Sequence, residues 1–181
     1  ITNPALDVVD NTLYETGYIN SDIISQSNKN IEEIVKKYSV DAILVEGYYN
    51  SINENSFEQY KLFSAGMGFE QWINENVTSL VKSLSDTVEK YAPEVQFGLV
   101  CDSVWANNTT IENGSETSAD FEMYTDGFVD LHAVMESSNI KTLLVDLPGA
   151  LANKEIPFKS TLKWWKNTAK EYGADVASLI Y

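Results

Sequence analysis

The sequence contains no arginine, and all twelve of its basic residues are lysines. Bidentate guanidinium clamps on phosphate or carboxylate groups are therefore absent. The 27 acidic residues bring the formal net charge to −15, so nucleic acid and anionic lipid would be repelled rather than attracted. We expect no nucleic-acid partner, and a neutral ligand is the easier one to accommodate.

Cysteine and histidine occur once each, as Cys101 and His132. One cysteine cannot form an intrachain disulfide, and one histidine excludes a multi-histidine metal centre. We expect neither a metal nor a cofactor. No apolar run approaches the ~20 residues that a transmembrane helix needs, so membrane insertion is not expected.

Apolar residues form three short runs that each end on a carboxylate. These runs are 42–45 before Glu46, 97–101 before Asp102 and 142–145 before Asp146. Unbroken runs rich in Val, Ile and Leu are typical of strands buried on both faces of a parallel sheet. The three carboxylates would then meet at the carboxyl ends of the strands, where α/β folds place their ligands and chemistry.

Amphipathic segments precede the runs. Apolar spacing predicts helices over about 28–39, 69–91, 119–137 and 159–172, and a fourth strand over 175–180. Strands that alternate with helices imply parallel pairing through right-handed crossovers. Two architectures fit this pattern, a doubly wound sheet and part of a (β/α)₈ barrel, and a complete barrel typically needs ~250 residues.

Breaker residues predict loops elsewhere in the chain. The first thirty residues are expected to form a loop with one short strand around 13–19, and residues 50–56 and 106–117 two further polar loops. No linker divides the sequence. We expect one domain over residues 1–181, and because Ile1 is not an initiator Met, we expect the chain to be a mature or excised piece of something longer.

Five segments in collinear order match motifs of one known family. Residues 34–49 resemble KYDIDGIHFDDYFY, 68–77 WRRENV, 97–105 FGISPFGVW and 114–118 GSDTS, and Trp164-Trp165 resembles a tryptophan pair. Over about residues 18–181 the chain thus resembles the bacterial glycosyl-hydrolase-like 10 family. The resemblance implies a TIM-like barrel of the carbohydrate-active class, located outside the cell or at the bacterial cell surface.

By this resemblance the chain would supply about the fourth to seventh βα units, as a segment of a larger barrel or multidomain protein. The predicted fold is therefore α/β, a partial (β/α) TIM-like barrel with about four parallel strands in sequential order. Its outer strands would have open edges, which proteins normally cover or pair. We expect the first thirty residues, a second copy of the chain in a homo-oligomer, or missing domains to cover them.

The chain departs from the family pattern at three places. The family's Asp-Asp pair after the first of these strands is Glu46-Gly47, and an arginine after the motif tryptophan is Ile73. The family's APQIYW strand end is replaced by residues 145–149. Family catalysis therefore cannot be transferred directly to these positions.

Glycoside hydrolysis needs two carboxyl groups, one to protonate the leaving oxygen and one to attack or to activate water. Glu46 is the predicted acid/base, and Asp102 or Asp146 the predicted nucleophile or base. The alternative for each is a structural role, in which a carboxylate at a strand exit caps a turn or the next helix.

Aromatic residues near the same edge suit carbohydrate, because the C–H face of a pyranose packs on an aromatic ring. The predicted substrate-binding residues are Tyr48, Tyr49, Trp72, Trp105 and Asn76. Trp72 also lies on the apolar face of its helix, which favours a core position. A solvated or helix-capping role is the alternative for Asn76.

Two functions remain open from the sequence. The first is a glycoside-hydrolase-like domain that acts on oligo- or polysaccharide by carboxylate acid/base chemistry. The alternative is a non-catalytic carbohydrate-binding or scaffold module of a surface protein that has lost the catalytic pair. Glu46-Gly47 in place of Asp-Asp favours the module, whereas Asp102 and Asp146 favour the enzyme.

Overall fold

The computed structural model describes residues 6–9, 12–15, 21–49, 54–147 and 153–179. The strands are β1 (Leu6–Val9), β2 (Thr12–Glu15), β3 (Ala42–Val45), β4 (Gln96–Cys101), β5 (Thr142–Asp146) and β6 (Asp175–Leu179). The helices are α1 (Ser21–Lys37), α2 (Glu54–Phe63), α3 (Phe69–Tyr91), α4 (Leu131–Ser137) and α5 (Phe158–Glu171).

Four of the strands form one parallel sheet in the order β3-β4-β5-β6. Ile43 lies opposite Phe97, and Leu99 opposite Leu143, so the register aligns the carboxyl ends of neighbouring strands. This confirms the predicted α/β class with four parallel strands in sequential order. A doubly wound sheet would have placed an early strand on the other side of the first.

The two faces of this sheet differ in burial. Phe97, Leu99 and Leu143 are buried on one face. On the opposite face, which strand alternation gives to the intervening residues, Leu44 is 42% and Leu179 is 41% exposed. The helices therefore cover one face of the sheet, and the other face is more open.

Helix α3 supplies most of the helical contribution to the core. Its buried residues recur every three or four positions, namely Trp72, Ile73, Val77, Leu80, Val81, Leu84, Ser85 and Val88. A second, partly buried side of α3 packs against α1. There the Asn28 side chain of α1 donates to Ser83 Oγ of α3 at 2.8 Å and accepts from Thr87 Oγ1 of α3 at 3.0 Å. No helix in the described ranges is long and apolar enough to cross a membrane.

Four predictions differ from the structure. Helix α1 begins at Ser21, inside the predicted N-terminal loop, and not at about residue 28. The predicted helix over 119–137 is confined to α4, which begins at Leu131 behind the N-cap Asp130, because residues 119–130 make side-chain and turn hydrogen bonds instead. The sequence also missed α2, whose Phe57 stacks on Phe69 at 4.4 Å. The N-terminal region forms two short strands, β1 and β2, where one was predicted around 13–19, and residues 16–19 lie outside the described part.

Within the described residues, each outer strand of the sheet has one hydrogen-bonded neighbour. β1 and β2 pair with each other in antiparallel fashion rather than with β3 or β6. The expectation that another part of the protein or a second copy covers the outer strands therefore stays a prediction.

Candidate functional site

Asp102 and Asp146 line the same cavity at the carboxyl ends of β4 and β5. Asp102 follows β4 directly, and Asp146 is the last residue of β5. The cavity has a volume of about 390 Å³, and its other lining residues are Ser103, Val104, Ala119, Asp120, Phe121, Glu155 and Ile156. Two of the three predicted carboxylates are thus brought to one cavity.

The strand ends that carry these carboxylates are tied together. Cys101 pairs with Val145 at the end of the β4–β5 ladder, which brings Asp102 beside Asp146. Just beyond it, the Ser103 hydroxyl donates to the Asp146 carbonyl at 2.6 Å, and Trp165 Nε1 donates to the Ser103 carbonyl at 2.8 Å. These bonds fix the position of the two backbone segments relative to each other.

Tyr49 links the loop after β3 to the candidate site. Its hydroxyl donates a hydrogen bond to Asp102 Oδ2. Burial, followed by the hydrogen bond to Asp102, raises the pKa of Tyr49 well above its ordinary value. Tyr49 therefore keeps its proton across the neutral and moderately alkaline range and remains a donor to the Asp102 carboxylate.

The remaining walls of the cavity come from loops that the sequence did not identify as functional. Residues 119–121 form one wall and residues 155–156 another. The two loops are joined by the Ser118 N–H, which donates to the Glu155 carbonyl at 2.9 Å. The walls are therefore connected to each other as well as to the sheet.

A polar network with a buried centre, Asn107, Thr117 and Glu122, holds the first of these loops. The Glu122 carboxylate accepts from Asn107 N at 2.7 Å, Asn107 Nδ2 at 2.8 Å and Thr110 Oγ1 at 2.7 Å. Asn107 Oδ1 accepts in turn from Thr117 Oγ1 at 2.8 Å and Ala119 N at 3.0 Å. We call these four residues and Ala119 the Asn107–Glu122 network. Because these hydrogen bonds satisfy its polar groups, the network can hold the loop in one conformation although its centre is buried.

The network also explains the 114–118 motif. Ser115 and Thr117 are buried and hydrogen-bonded to each other at 2.8 Å. Gly114 packs against the Asn107 backbone so closely that a Cβ would meet the Asn107 carbonyl oxygen and lie 2.8 Å from that of Ala106. This segment therefore has a structural role: it stabilises the loop next to the cavity.

Glu46 and Tyr48 lie apart from the cavity lining. Glu46 is exposed just after β3, and strand alternation would place it on the open face of the sheet, as it does Leu44. Its predicted acid/base role stays a prediction. Tyr48 is buried, and its hydroxyl lies 3.5 Å from Cys101 Sγ. Its ring therefore packs in the core and not on the rim of the cavity, where it was predicted.

The other predicted sugar-binding residues have structural contacts. Trp105 is buried; its Nε1 donates to the Val129 carbonyl at 2.8 Å and its ring stacks on Trp164 at 5.6 Å. Trp72 is buried on the apolar face of α3, the position that the helical spacing favoured. Asn76 Nδ2 donates to the Trp72 carbonyl at 2.6 Å. The structure thus places both tryptophans in the core, whereas Tyr49 contacts a cavity carboxylate.

Cys101 is expected to be inert in the native protein. Its side chain is buried, and burial raises the pKa of the thiol to about 12. Because the thiolate is the reactive form, Ellman's reagent at pH 8 should label no thiol in the folded protein and one thiol per chain in guanidinium chloride. Rapid labelling without denaturant would show that the thiol is accessible and ionised, contrary to this placement.

The charge of the cavity suits a cationic transition state. Four of its lining residues are carboxylic acids, Asp102, Asp120, Asp146 and Glu155, and none is basic. Glycoside cleavage develops positive charge on the sugar ring, which nearby carboxylates stabilise. Among the residues that the structure describes, no group of three or more His, Cys, Asp or Glu side chains could hold a metal ion.

The cavity, with its two carboxylates, lies at the carboxyl ends of neighbouring parallel strands, the edge where α/β proteins place their ligands and chemistry. No family model matches the chain. It is similar to glycosyl hydrolase YngK of Bacillus subtilis (strain 168), with 27% identity over 150 residues, or 78% of this chain and 29% of the relative. It is also similar to glycosyl hydrolase DigH of Escherichia coli, with 22% identity over 147 residues, or 77% of this chain and 33% of the relative.

The chain thus spans about a third of the length of the curated relatives it matches. These relatives support a glycosyl-hydrolase-like family for the chain. Membership of family 10 stays a prediction from the sequence motifs.

Proposed function

We propose that this protein hydrolyses a glycosidic bond in the cavity between Asp102 and Asp146. The observation that carries the proposal is that two carboxylates from adjacent strand ends line one cavity. Glycoside hydrolysis requires such a pair. The similarity to relatives named glycosyl hydrolase supports carbohydrate as the substrate class.

Within this proposal Asp102 is the anionic partner, acting as nucleophile or as the base that activates water. A carboxylate that accepts a hydrogen bond from a protonated phenol is held in one orientation, ready to attack or to accept a proton. Asp146 shares its cavity and is the proposed general acid. Glu46, on the neighbouring strand end, is the third candidate and the one that the sequence favoured.

We also propose that the parallel sheet is a segment of a TIM-like barrel. The sequential strand order and the unequal burial of the two faces support this, because barrel strands carry helices on the outside only. In such a barrel the open face would be the interior, and Glu46, Asp102 and Asp146 would all lie at its C-terminal rim. The location of the protein outside the cell stays a prediction from the family resemblance.

The experiment that tests the proposed function is a hydrolysis and binding screen. Wild-type protein would be incubated with solubilised bacterial cell-wall glycan, chitohexaose, cellohexaose and xylohexaose, with new reducing ends and binding measured in parallel. We expect new reducing ends from at least one glycan. Binding of a glycan without cleavage of any would instead establish the non-catalytic carbohydrate-binding module.

A further inference from the structure

Phe121 is an aromatic residue at the cavity that the sequence did not identify. It lines the cavity together with Asp102 and Asp146, and the residue is 45% exposed. An isolated exposed phenylalanine needs no explanation by itself. Here, however, the exposed ring lies on the wall of the cavity that contains the proposed catalytic pair.

The ring of Phe121 is supported by a second aromatic residue. It stacks on Tyr49, with ring centroids 6.5 Å apart and an angle of 28° between the planes. Tyr49 is the residue whose hydroxyl donates to Asp102. Tyr49 therefore connects the ring of Phe121 to the carboxylate proposed to act on substrate.

The backbone on both sides of Phe121 is fixed by hydrogen bonds. Ala119 N donates to Asn107 Oδ1, and the Glu122 carboxylate accepts from the backbone and side chain of Asn107. Glu122 N also donates to Asp126 Oδ2 at 2.8 Å. Because Phe121 lies between these anchored residues, its position is set before any ligand binds, which lowers the entropy cost of binding.

We propose that Phe121 is a substrate-binding residue that packs against the C–H face of a pyranose ring next to the cleavage site. This inference rests on the proposed function and extends it by one sugar-binding position. An aromatic ring offers the flat apolar surface that the C–H face of a neutral sugar requires. Phe121 has no acid or base group, so it contributes to affinity rather than to the chemical step.

The test is the affinity of Phe121 variants for a glycan, measured calorimetrically in the Asp146→Asn background to prevent turnover. The probes are chitohexaose, cellohexaose, xylohexaose and solubilised bacterial cell-wall glycan. We expect Phe121→Ala and Phe121→Leu to weaken binding about 10-fold, the effect of ~1.4 kcal/mol. We expect Phe121→Trp to bind within about 2-fold of the parent, because it keeps the flat ring.

Phe57 provides a matched control. It is 46% exposed and, like Phe121, stacks on a second aromatic ring, but it does not line the cavity. Phe57→Ala should leave glycan affinity unchanged. Thermal unfolding of each variant excludes loss of fold as the cause of weaker binding.

Three results would overturn the inference. Unchanged affinity in Phe121→Ala would remove the stacking role and leave the proposed glycan site intact. Equal losses in Phe121→Ala and Phe57→Ala would show a general effect of removing an aromatic ring. Failure of the unsubstituted protein to bind any of the four probes would overturn the proposed function and this inference together.

Discussion

Replacement of Asp102 by asparagine is expected to lower kcat for glycan hydrolysis about 10³-fold. The change keeps the size of the side chain and leaves an oxygen that can accept from Tyr49, but removes the negative charge needed to attack or to activate water. A 10³-fold loss corresponds to ~4 kcal/mol of transition-state stabilisation. The measurement is the initial rate of new reducing ends, with glycan affinity determined in parallel.

The control for this prediction is Asp120→Asn, which removes the same charge from the wall of the same cavity. Asp120 lies in a loop rather than at a strand end. We expect its replacement to lower kcat less than about 10-fold, because it changes only the electrostatic potential of the cavity. Similar losses in both variants would assign the effect to overall cavity charge. A fully active Asp102→Asn variant would remove Asp102 from the mechanism.

Replacement of Gly114 by alanine is expected to destabilise the protein by about 2–3 kcal/mol. The added Cβ would collide with the Asn107 carbonyl and crowd that of Ala106, and backbone atoms cannot move aside as flexible side chains can. The collision would also displace Asn107, which anchors the Asn107–Glu122 network. Urea unfolding measures the change in the free energy of unfolding. In thermal unfolding we expect the midpoint temperature to fall by about 5–10 °C.

Gly68→Ala is the matched control for Gly114→Ala. Gly68 has a φ of −64° at the N-terminus of α3, and a Cβ there would meet nothing within 4 Å. Its replacement should cost less than about 1 kcal/mol, the difference between glycine and alanine at a helix N-cap. Equal stabilities for the two variants would contradict the close packing of residue 114.

The parallel strands were predictable because a buried strand leaves a local pattern in the sequence, a short run of apolar residues. Residues 97–101 and 142–145 are unbroken apolar runs, and the structure places β4 and β5 there. The carboxylates that follow were predictable for the same reason, since a residue directly after a strand inherits the position of the strand end. Asp102 and Asp146 therefore needed no knowledge of distant contacts.

The path of the chain over residues 118–130 could not be predicted in this way, although the loop before it was. Apolar spacing predicted a helix from about residue 119, but in the structure Glu122 binds Asn107, fifteen positions earlier in the chain. No local sequence pattern predicts a hydrogen-bond partner at that distance along the chain. Phe121 was missed as a site residue because its relation to Asp102 depends on this long-range bond.

The aromatic candidates illustrate a similar limit. Tyr48 and Tyr49 are adjacent in sequence, and both follow β3, yet Tyr48 is buried beside Cys101 and Tyr49 reaches Asp102. Which of two neighbours faces the site depends on the backbone path after Gly47, which has a φ of 65°. Residue type alone does not specify that path.

The most direct test of the central claim compares three proteins on one glycan that the wild type cleaves. These are the wild type, the double variant Asp102→Asn/Asp146→Asn and the single variant Glu46→Gln, with new reducing ends measured over the same period. We predict that the double variant binds the glycan but releases no reducing ends above background, while Glu46→Gln retains more than about a tenth of wild-type activity. Hydrolysis by the double variant at a rate near that of the wild type would show that the cavity between Asp102 and Asp146 is not the catalytic site.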